Sequence, residues 1–385
     1  MTTSSIMNTY GAKVATFVEG RGCWLWDSSG SKYLDALSGI AVCGLGHSHP
    51  HFAATVAKQA NTLTHCSNFF GIPNQQNLAD KLCEISGMTN IFFGNSGAEA
   101  NEAAIKIARK YHSSNNSPRS EIVSFEGSFH GRSLLNISLG GTELHKKGFE
   151  PLMPGIKHGV FNDIKGLENL ISEKTAAVII EPVQGEAGVY SATQEFMDKL
   201  RSLTSIHGAL LIVDEVQSGV GRMGSLYGYM HYEIEPDILT SAKGLGGGMP
   251  IGATLTTRSI GEGMQPGTHG STFGGNPMAC AVADTVLTVV SDKEFLDEVL
   301  RKEKLFVKLL NELNEEKSVF SAIRSEGLWI GCDLINEESS KVIDRCYDNG
   351  LILVSAGSNC LRLAPALNIN DDDIKEGIEI LKQVF

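Results

Sequence analysis

The sequence predicts an α/β fold: a mostly parallel sheet covered by helices on both faces, with a smaller α+β domain beside it. Three observations carry that expectation. From about residue 50, short and continuously apolar segments alternate with segments of helical spacing, the pattern of a parallel sheet buried on both sides. Polar residues stand at the ends of those segments, with Asn95, Glu181 and Asp214 the clearest, and such sheets bind ligands beyond the carboxyl ends of their strands. After about residue 277 the glycine-rich texture stops and a long helical stretch begins.

The elements follow in chain order. Residues about 13–35 read as a short β-meander, with strand pieces at 17–22 and 24–27 and a turn at Asp27-Ser28-Ser29-Gly30, because Asp, Ser and Gly favour tight reversals. Ile91-Phe92-Phe93 predicts a strand that feeds a helix from about Ala98 to Tyr111. Strands are expected at Ile122-Val123-Ser124, at 176–180 and at 210–213. A continuous helical stretch is expected over roughly 278–316. Strands at 328–331, 352–354 and 361–363 and a last helix from about Asp373 complete the chain. The expected division is 1–50 as an N-terminal segment joining the small domain, 51–277 as the large domain, and 278–385 as the C-terminal small domain.

Composition narrows the functional classes. The 385 residues are 42% hydrophobic and 20% charged, with a formal net charge of -12. That is an ordinary globular balance, and the negative charge argues against nucleic-acid binding. No segment approaches the roughly 20 apolar residues of a membrane span, and the first residues lack the apolar stretch of a signal peptide. The eight cysteines contain no Cys-x-x-Cys pair. They read as free thiols in a reducing compartment, so a cytoplasmic protein is expected.

The chemistry concentrates in two segments. Lys243 stands at the entrance to Gly244-Leu245-Gly246-Gly247-Gly248, and Asp214 ends the apolar run Leu210-Leu211-Ile212-Val213. A lysine in a glycine-rich loop and an acid at the mouth of a buried strand suit pyridoxal phosphate (PLP). The amine can hold the cofactor aldehyde as a Schiff base, and the acid can keep the pyridine nitrogen protonated so that the ring accepts electrons. Either residue alone would read as a solvated lysine or a strand-end cap. Their joint occurrence with a phosphate-ready helix start gives the pair its weight. That start is Asn95-Ser96-Gly97-Ala98-Glu99, where Ser96 and Glu99 have capping-box spacing. A helix N-terminus offers unpaired N–H groups to an anion. The glycine-rich loop is not a dinucleotide motif, because no Gly-x-Gly-x-x-Gly follows an early strand. His47-Ser48-His49-Pro50-His51 lacks downstream ligands at useful spacing and reads as a polar turn, so no metal is expected.

Across its whole length the chain resembles the class III PLP-dependent aminotransferases, and within them most closely the acetylornithine branch. The matching segments are 45–50, 95–106, Phe129-His130-Gly131-Arg132, Glu181-Pro182-Val183-Gln184-Gly185-Glu186, 214–224, 243–252 and 268–277. The resemblance implies fold type I, with a sheet of the seven-stranded kind. It implies Lys243 as the cofactor-binding lysine and Asp214, with the adjacent Glu215, at the ring. Gln217 would meet the ring hydroxyl, Val216 and Phe129 the ring faces, and Ser96, Gly97 and Ala98 the phosphate. Thr272 would reach the phosphate of a neighbouring subunit, making the active unit a homodimer; no motif argues for any other protein partner.

The same resemblance assigns Arg132, Arg362 and Ser271 to the substrates, N2-acetylornithine and 2-oxoglutarate, and Glu186 to a gate that pairs with Arg362. Arg362 also stands out by itself, because it lies in the apolar run Cys360-Leu361-Arg362-Leu363, where an unpaired charge is costly. The implied activity is a ping-pong transfer of an ω-amino group in arginine biosynthesis. Rival donors are ornithine, succinylornithine, succinyl-diaminopimelate and 4-aminobutyrate. A mutase or decarboxylase of the same class is a rival chemistry. A non-catalytic binding protein on the scaffold would have lost Lys243, Asp214 or the arginines. The sequence departs from the family after Tyr10-Gly11, where Ala12-Lys13-Val14 follow, and at Pro365-Ala366, where many relatives carry two prolines.

Overall fold

The chain enters through an antiparallel meander, β1 (Phe17–Arg21), β2 (Trp24–Asp27) and β3 (Lys32–Asp35). This is a computed structural model, and it describes residues 5–11 and 14–385. Ala12 and Lys13, where the sequence departs from its family, lie outside the described residues. The expected turn at Asp27 forms because its Oδ1 accepts from the N–H groups of Ser29 and Ser31, both at 2.9 Å, while Gly30 takes the left-handed backbone at φ +87°.

Seven strands then build the central sheet. They include β4 (Asn90–Gly94), β5 (Glu121–Phe125), β6 (Ile156–Gly159) and β7 (Thr175–Ile180). A two-stranded hairpin, β8 (Val183–Gln184) and β9 (Tyr190–Ser191), interrupts the series. The sheet is completed by β10 (Leu210–Asp214), β11 (Ile238–Ser241) and β12 (Gly252–Thr256). Its order is β4-β12-β11-β10-β7-β5-β6. All neighbours run parallel except β12, which is antiparallel to both β11 and β4. Every residue of β7 and β10 is buried, as the continuous apolar runs required.

The helix Gly97–Ser114 crosses the sheet and begins one residue earlier and ends three residues later than its apolar spacing suggests. Its buried face is built largely from alanines, Ala100, Ala103, Ala104 and Ala108, whose short side chains let backbone and sheet approach closely.

The helical stretch expected over 278–316 is two helices, Pro277–Val290 and Lys293–Lys317. The break is the cap of the second: Asp292 Oδ1 accepts from the N–H of Glu294 at 2.8 Å and of Phe295 at 3.3 Å. An N-cap residue leaves helical geometry to make those bonds, while the apolar spacing continues across it.

The C-terminal strands are β13 (Phe320–Ser325), β14 (Ile330–Leu334), β15 (Leu351–Ile352), β16 (Val354–Ala356) and β17 (Cys360–Leu363). Four of them form an antiparallel sheet in the order β13-β14-β17-β16. Strand β14 starts two residues later than expected, because the Leu328 N–H is spent on the Arg222 carbonyl at 3.1 Å. Strand β15 leaves that sheet and pairs in parallel with β3, so both chain ends share one sheet.

Candidate active site

Three parallel strands deliver polar residues to one end of the sheet. Asp214 is the last residue of β10, Glu181 follows β7, and Lys243 follows β11. Together with the segment after β4, they line a cavity of about 360 Å³. The reversed strand β12 starts at this end with Gly252, where a Cβ would lie 2.2 Å from the Ser96 carbonyl. Glycine alone lets β12 pass this close to the helix start at residue 97.

Asp214 is fixed from three sides. Its Oδ2 is 2.7 Å from His130 Nδ1 and accepts from Asn101 Nδ2 at 2.7 Å. Its Oδ1 accepts from the Val216 N–H at 3.0 Å. Asn101 is held in turn by Thr240, whose hydroxyl donates to Asn101 Oδ1 at 2.8 Å. His130 and Asn101 are buried. Asn101 was not singled out by the motif reading, and His130 entered it only as part of a matching segment. The signal for Asn101 is a polar residue on the alanine face of its helix.

Lys243 is half-buried on the cavity wall in a left-handed conformation, φ 43°, a strained backbone for a residue with a side chain. Burial lowers its pKa to about 8, with Arg362 assisting and Glu186, Asp214 and Glu181 opposing. Glu181 is buried too. Burial and the neighbouring Asp214 raise its pKa well above the carboxylate range, against the Phe129 N–H that donates to its Oε2 at 3.0 Å. Glu186 forms an ion pair with Arg362 at 2.6 Å. Burial works to raise the Glu186 pKa, but Arg362 and Gln217 overcome it and hold the carboxyl below its usual range. Arg362 is 2% exposed, a position that a guanidinium tolerates only with a partner, and its Nε remains unpartnered among the described residues.

The helix start at Gly97 borders the cavity. Ser96 Oγ accepts from the Glu99 N–H at 3.2 Å, and the Glu99 carboxylate returns to the Asn95 N–H. A Cβ on Gly97 would lie 2.5 Å from Val216 Cγ1, so Val216 packs directly against the helix start. Phe129, Ala98, Val216 and Gln217 line the same cavity.

An outer cavity of about 930 Å³ opens from Lys243, Phe129 and Glu186 to Arg132, His145 and Phe149. Glu215 is turned away from both cavities: it accepts from the Tyr229 N–H at 2.6 Å and from Ser218 Oγ at 2.6 Å. Ser271 and Thr272 line a third cavity, of about 690 Å³, and Ser271 reaches the first only through Asn95 Nδ2, at 3.1 Å. The polar turn at His47 joins His47 Nε2 to Asp35 Oδ2 at 2.8 Å. Among the described residues no three His, Cys, Asp or Glu side chains cluster as a metal site would require. No helix among them is long and apolar enough to cross a membrane.

The family profile described as Aminotransferase class-III matches residues 6–385. This chain is a class III aminotransferase. Succinylornithine transaminase of Yersinia pestis bv. Antiqua (strain Angola) is 45% identical over 383 residues, covering 97% of this chain and 92% of that protein. Among solved structures, N-acetylornithine aminotransferase from Stenotrophomonas maltophilia K279a superposes with TM-score 0.86 at 37% identity, covering 98% of this chain and 97% of that one. Ornithine aminotransferase from Toxoplasma gondii ME49 superposes with TM-score 0.92 at 30% identity, covering 98% and 91%. The α/β fold is that of the class III aminotransferases, and pyridoxal phosphate is the cofactor of this one.

The residues present suit that cofactor. Gln217 Oε1 is buried without a partner among the described residues, an acceptor ready for a hydroxyl donor. A helix N-terminus faces the cavity, as a phosphate requires, and an anchored carboxylate stands at its other side.

Proposed function

We propose that this class III aminotransferase takes the ω-amino group from an N2-acylornithine and passes it to 2-oxoglutarate, giving an N-acylglutamate 5-semialdehyde and glutamate. The observation that carries the reading is the closed pair of Arg362 and Glu186 beside Lys243. One site must accept a terminal amine and then a dicarboxylic oxo acid. A guanidinium masked by a carboxylate in the first half-reaction and released for the second meets both demands. Arg132 stands on the outer cavity as a further carboxylate partner, and Ile40, Leu134 and Phe149 line room for an acyl group. The family resemblance favours N2-acetylornithine and a place in arginine biosynthesis. The named Yersinia relative favours the succinyl donor. Both are N2-acylornithines.

In this reading PLP supplies the electron sink for the substrate carbanion. Lys243 binds the cofactor aldehyde at rest. With the cofactor bound, Lys243 Nζ would move the proton at the substrate carbon, and its pKa of about 8 suits that work at neutral pH. Asp214, oriented by His130 and Asn101, would pair with the ring nitrogen. Gln217 would hold the ring hydroxyl, Phe129 and Val216 would cover the ring faces, and Ser96, Gly97 and Ala98 would take the phosphate. Glu215 supports the loop rather than the cofactor, since both its oxygens are bonded to that loop. Thr272, with Ser271 nearby, serves the site of a second copy, which makes the working unit a homodimer. Eight free thiols support a reducing, cytoplasmic setting.

The test is a half-reaction with PLP-loaded enzyme and no oxo acid, following the cofactor absorbance near the visible edge. N2-Acetylornithine, N2-succinylornithine, ornithine and 4-aminobutyrate are added separately. The acylornithines should convert the cofactor far ahead of ornithine, and the faster of the two names the pathway. Fastest conversion by ornithine or 4-aminobutyrate would sink the acylornithine assignment while leaving the aminotransferase.

A further inference from the structure

We propose that His145 is a positioning residue of this reaction: it holds the Arg132 guanidinium on the wall of the outer cavity, in the orientation that receives a substrate carboxylate. The inference rests on the reading of Arg132 as a carboxylate partner. Arginine has donors only, so in the 3.1 Å contact between Arg132 Nη2 and His145 Nε2 the histidine accepts. Its Nε2 must therefore carry no proton. The same guanidinium lies 5.5 Å from the centre of the Phe129 ring, and His145 meets that ring edge-on, with centroids 6.0 Å apart at 85°. Arg132 is thus held from below by Phe129 and from the side by His145. One of its five N–H groups is spent on His145, and among the described residues the rest of the fork stays open for a bidentate carboxylate. Without that hold, an exposed arginine spreads over many rotamers, and ordering it costs binding energy.

The charged groups around His145 fit an acceptor role. Arg132 faces it, and burial and Arg132 lower its pKa below the ordinary histidine value, opposed by Glu186. Lys243 and Tyr10 line the same cavity. On its own turn, Glu143 is bound to Lys146 at 2.7 Å. Protonating His145 removes the acceptor and sets a second cation against Arg132, so the hold fails as pH falls.

The experiment titrates PLP-loaded wild-type, His145→Ala and His145→Gln enzymes with glutarate by calorimetry, and measures kcat and KM for the acylornithine donor. Glutarate carries two carboxylates and neither gives nor takes an amine. His145→Ala should weaken glutarate binding by about tenfold, the scale of one lost hydrogen bond to a charged group, and raise the donor KM with little change in kcat. His145→Gln, whose amide oxygen can accept from Arg132, should restore most of the affinity. As pH falls from neutral through the lowered titration of His145, the wild type should lose more glutarate affinity than His145→Gln. Unchanged glutarate affinity in His145→Ala, no rescue by glutamine, or equal acid sensitivity in the two enzymes would overturn the proposal. Glutarate binding does not depend on the donor amine. A failed acylornithine assignment with the glutarate results intact would therefore change the substrate and leave His145 in its role.

Discussion

Lys243 and Asp214 reach the same cavity from two strand ends, and only the lysine needs to move for the chemistry proposed. Lys243→Ala should keep its fold, lose the absorbance band near the visible edge, and fall in turnover by at least about 10²–10⁴-fold, the range of a lost proton-transfer group. A variant turning over at the wild-type rate would remove lysine from the mechanism. These two residues were legible in the sequence because each sits in a short local pattern. Asn101 was not, because its partner Asp214 is 113 positions away, and no local spacing encodes a contact that the sheet order creates. The Glu215 side chain was hidden for a related reason. The resemblance groups it with Asp214 at the cofactor; alternate residues leaving a strand point to opposite sides, and its carboxylate joins the Tyr229 loop. Burial raises its pKa from 4.5 to about 7. Between those values the folded chain keeps a proton that the unfolded chain gives up, so this group's contribution to stability falls as pH rises through the window and is level above it. Glu215→Gln has no such proton. Relative to wild type it should gain on the order of 3 kcal/mol between about pH 5 and about pH 8 in urea denaturation. A stability difference independent of pH would mean that Glu215 is ionised throughout.

At the scale of elements, Arg222 joins the two halves of the structure. It is buried in the loop after β10, and its Nη1 donates to the carbonyls of Leu328 and Pro365, each at 2.7 Å. Those carbonyls flank β14 and β17, and β17 carries Arg362. Burial pushes the Arg222 pKa down to about 9, so its charge is retained at neutral pH. Arg222→Met fills the space and leaves two buried acceptors unpaired, each costing about 1–3 kcal/mol. The denaturation midpoint should fall accordingly. Wild-type stability in Arg222→Met would mean that water or backbone shifts satisfy both carbonyls. The strands of the central sheet were legible because burial on both faces leaves unbroken apolar runs. The helix break at Asp292 was hidden for the opposite reason: capping is a property of one side chain, and the apolar spacing on either side stays in phase.

At the scale of the whole molecule, the α/β architecture follows from the alternation of runs and helices, but two topological facts do not. The reversal of β12 depends on Gly252 passing under the Ser96 carbonyl, and the pairing of β15 with β3 joins segments from opposite chain ends. Neither leaves a periodic trace. The same scale decides whether one chain is enough. Phe69, Phe70 and Phe273 are 94%, 68% and 60% exposed, and the loops that carry them are tied together where Asn68 Nδ2 donates to the carbonyls of Ser271 and Gly274, both at 3.0 Å. Three exposed phenylalanines beside Thr272 form an apolar surface of the kind that marks an interface. A second copy seated there would cover the rings and bring Thr272 toward the neighbouring cofactor. Light scattering should therefore give a mass near twice the 41.3 kDa of the chain. Phe273→Asp should shift the protein toward monomer, keep its far-ultraviolet circular dichroism, and lower PLP retention on dialysis. A Phe273→Asp protein that becomes monomeric yet holds PLP as tightly as wild type would show that each chain completes its own phosphate site, and Thr272 would lose its role across the interface.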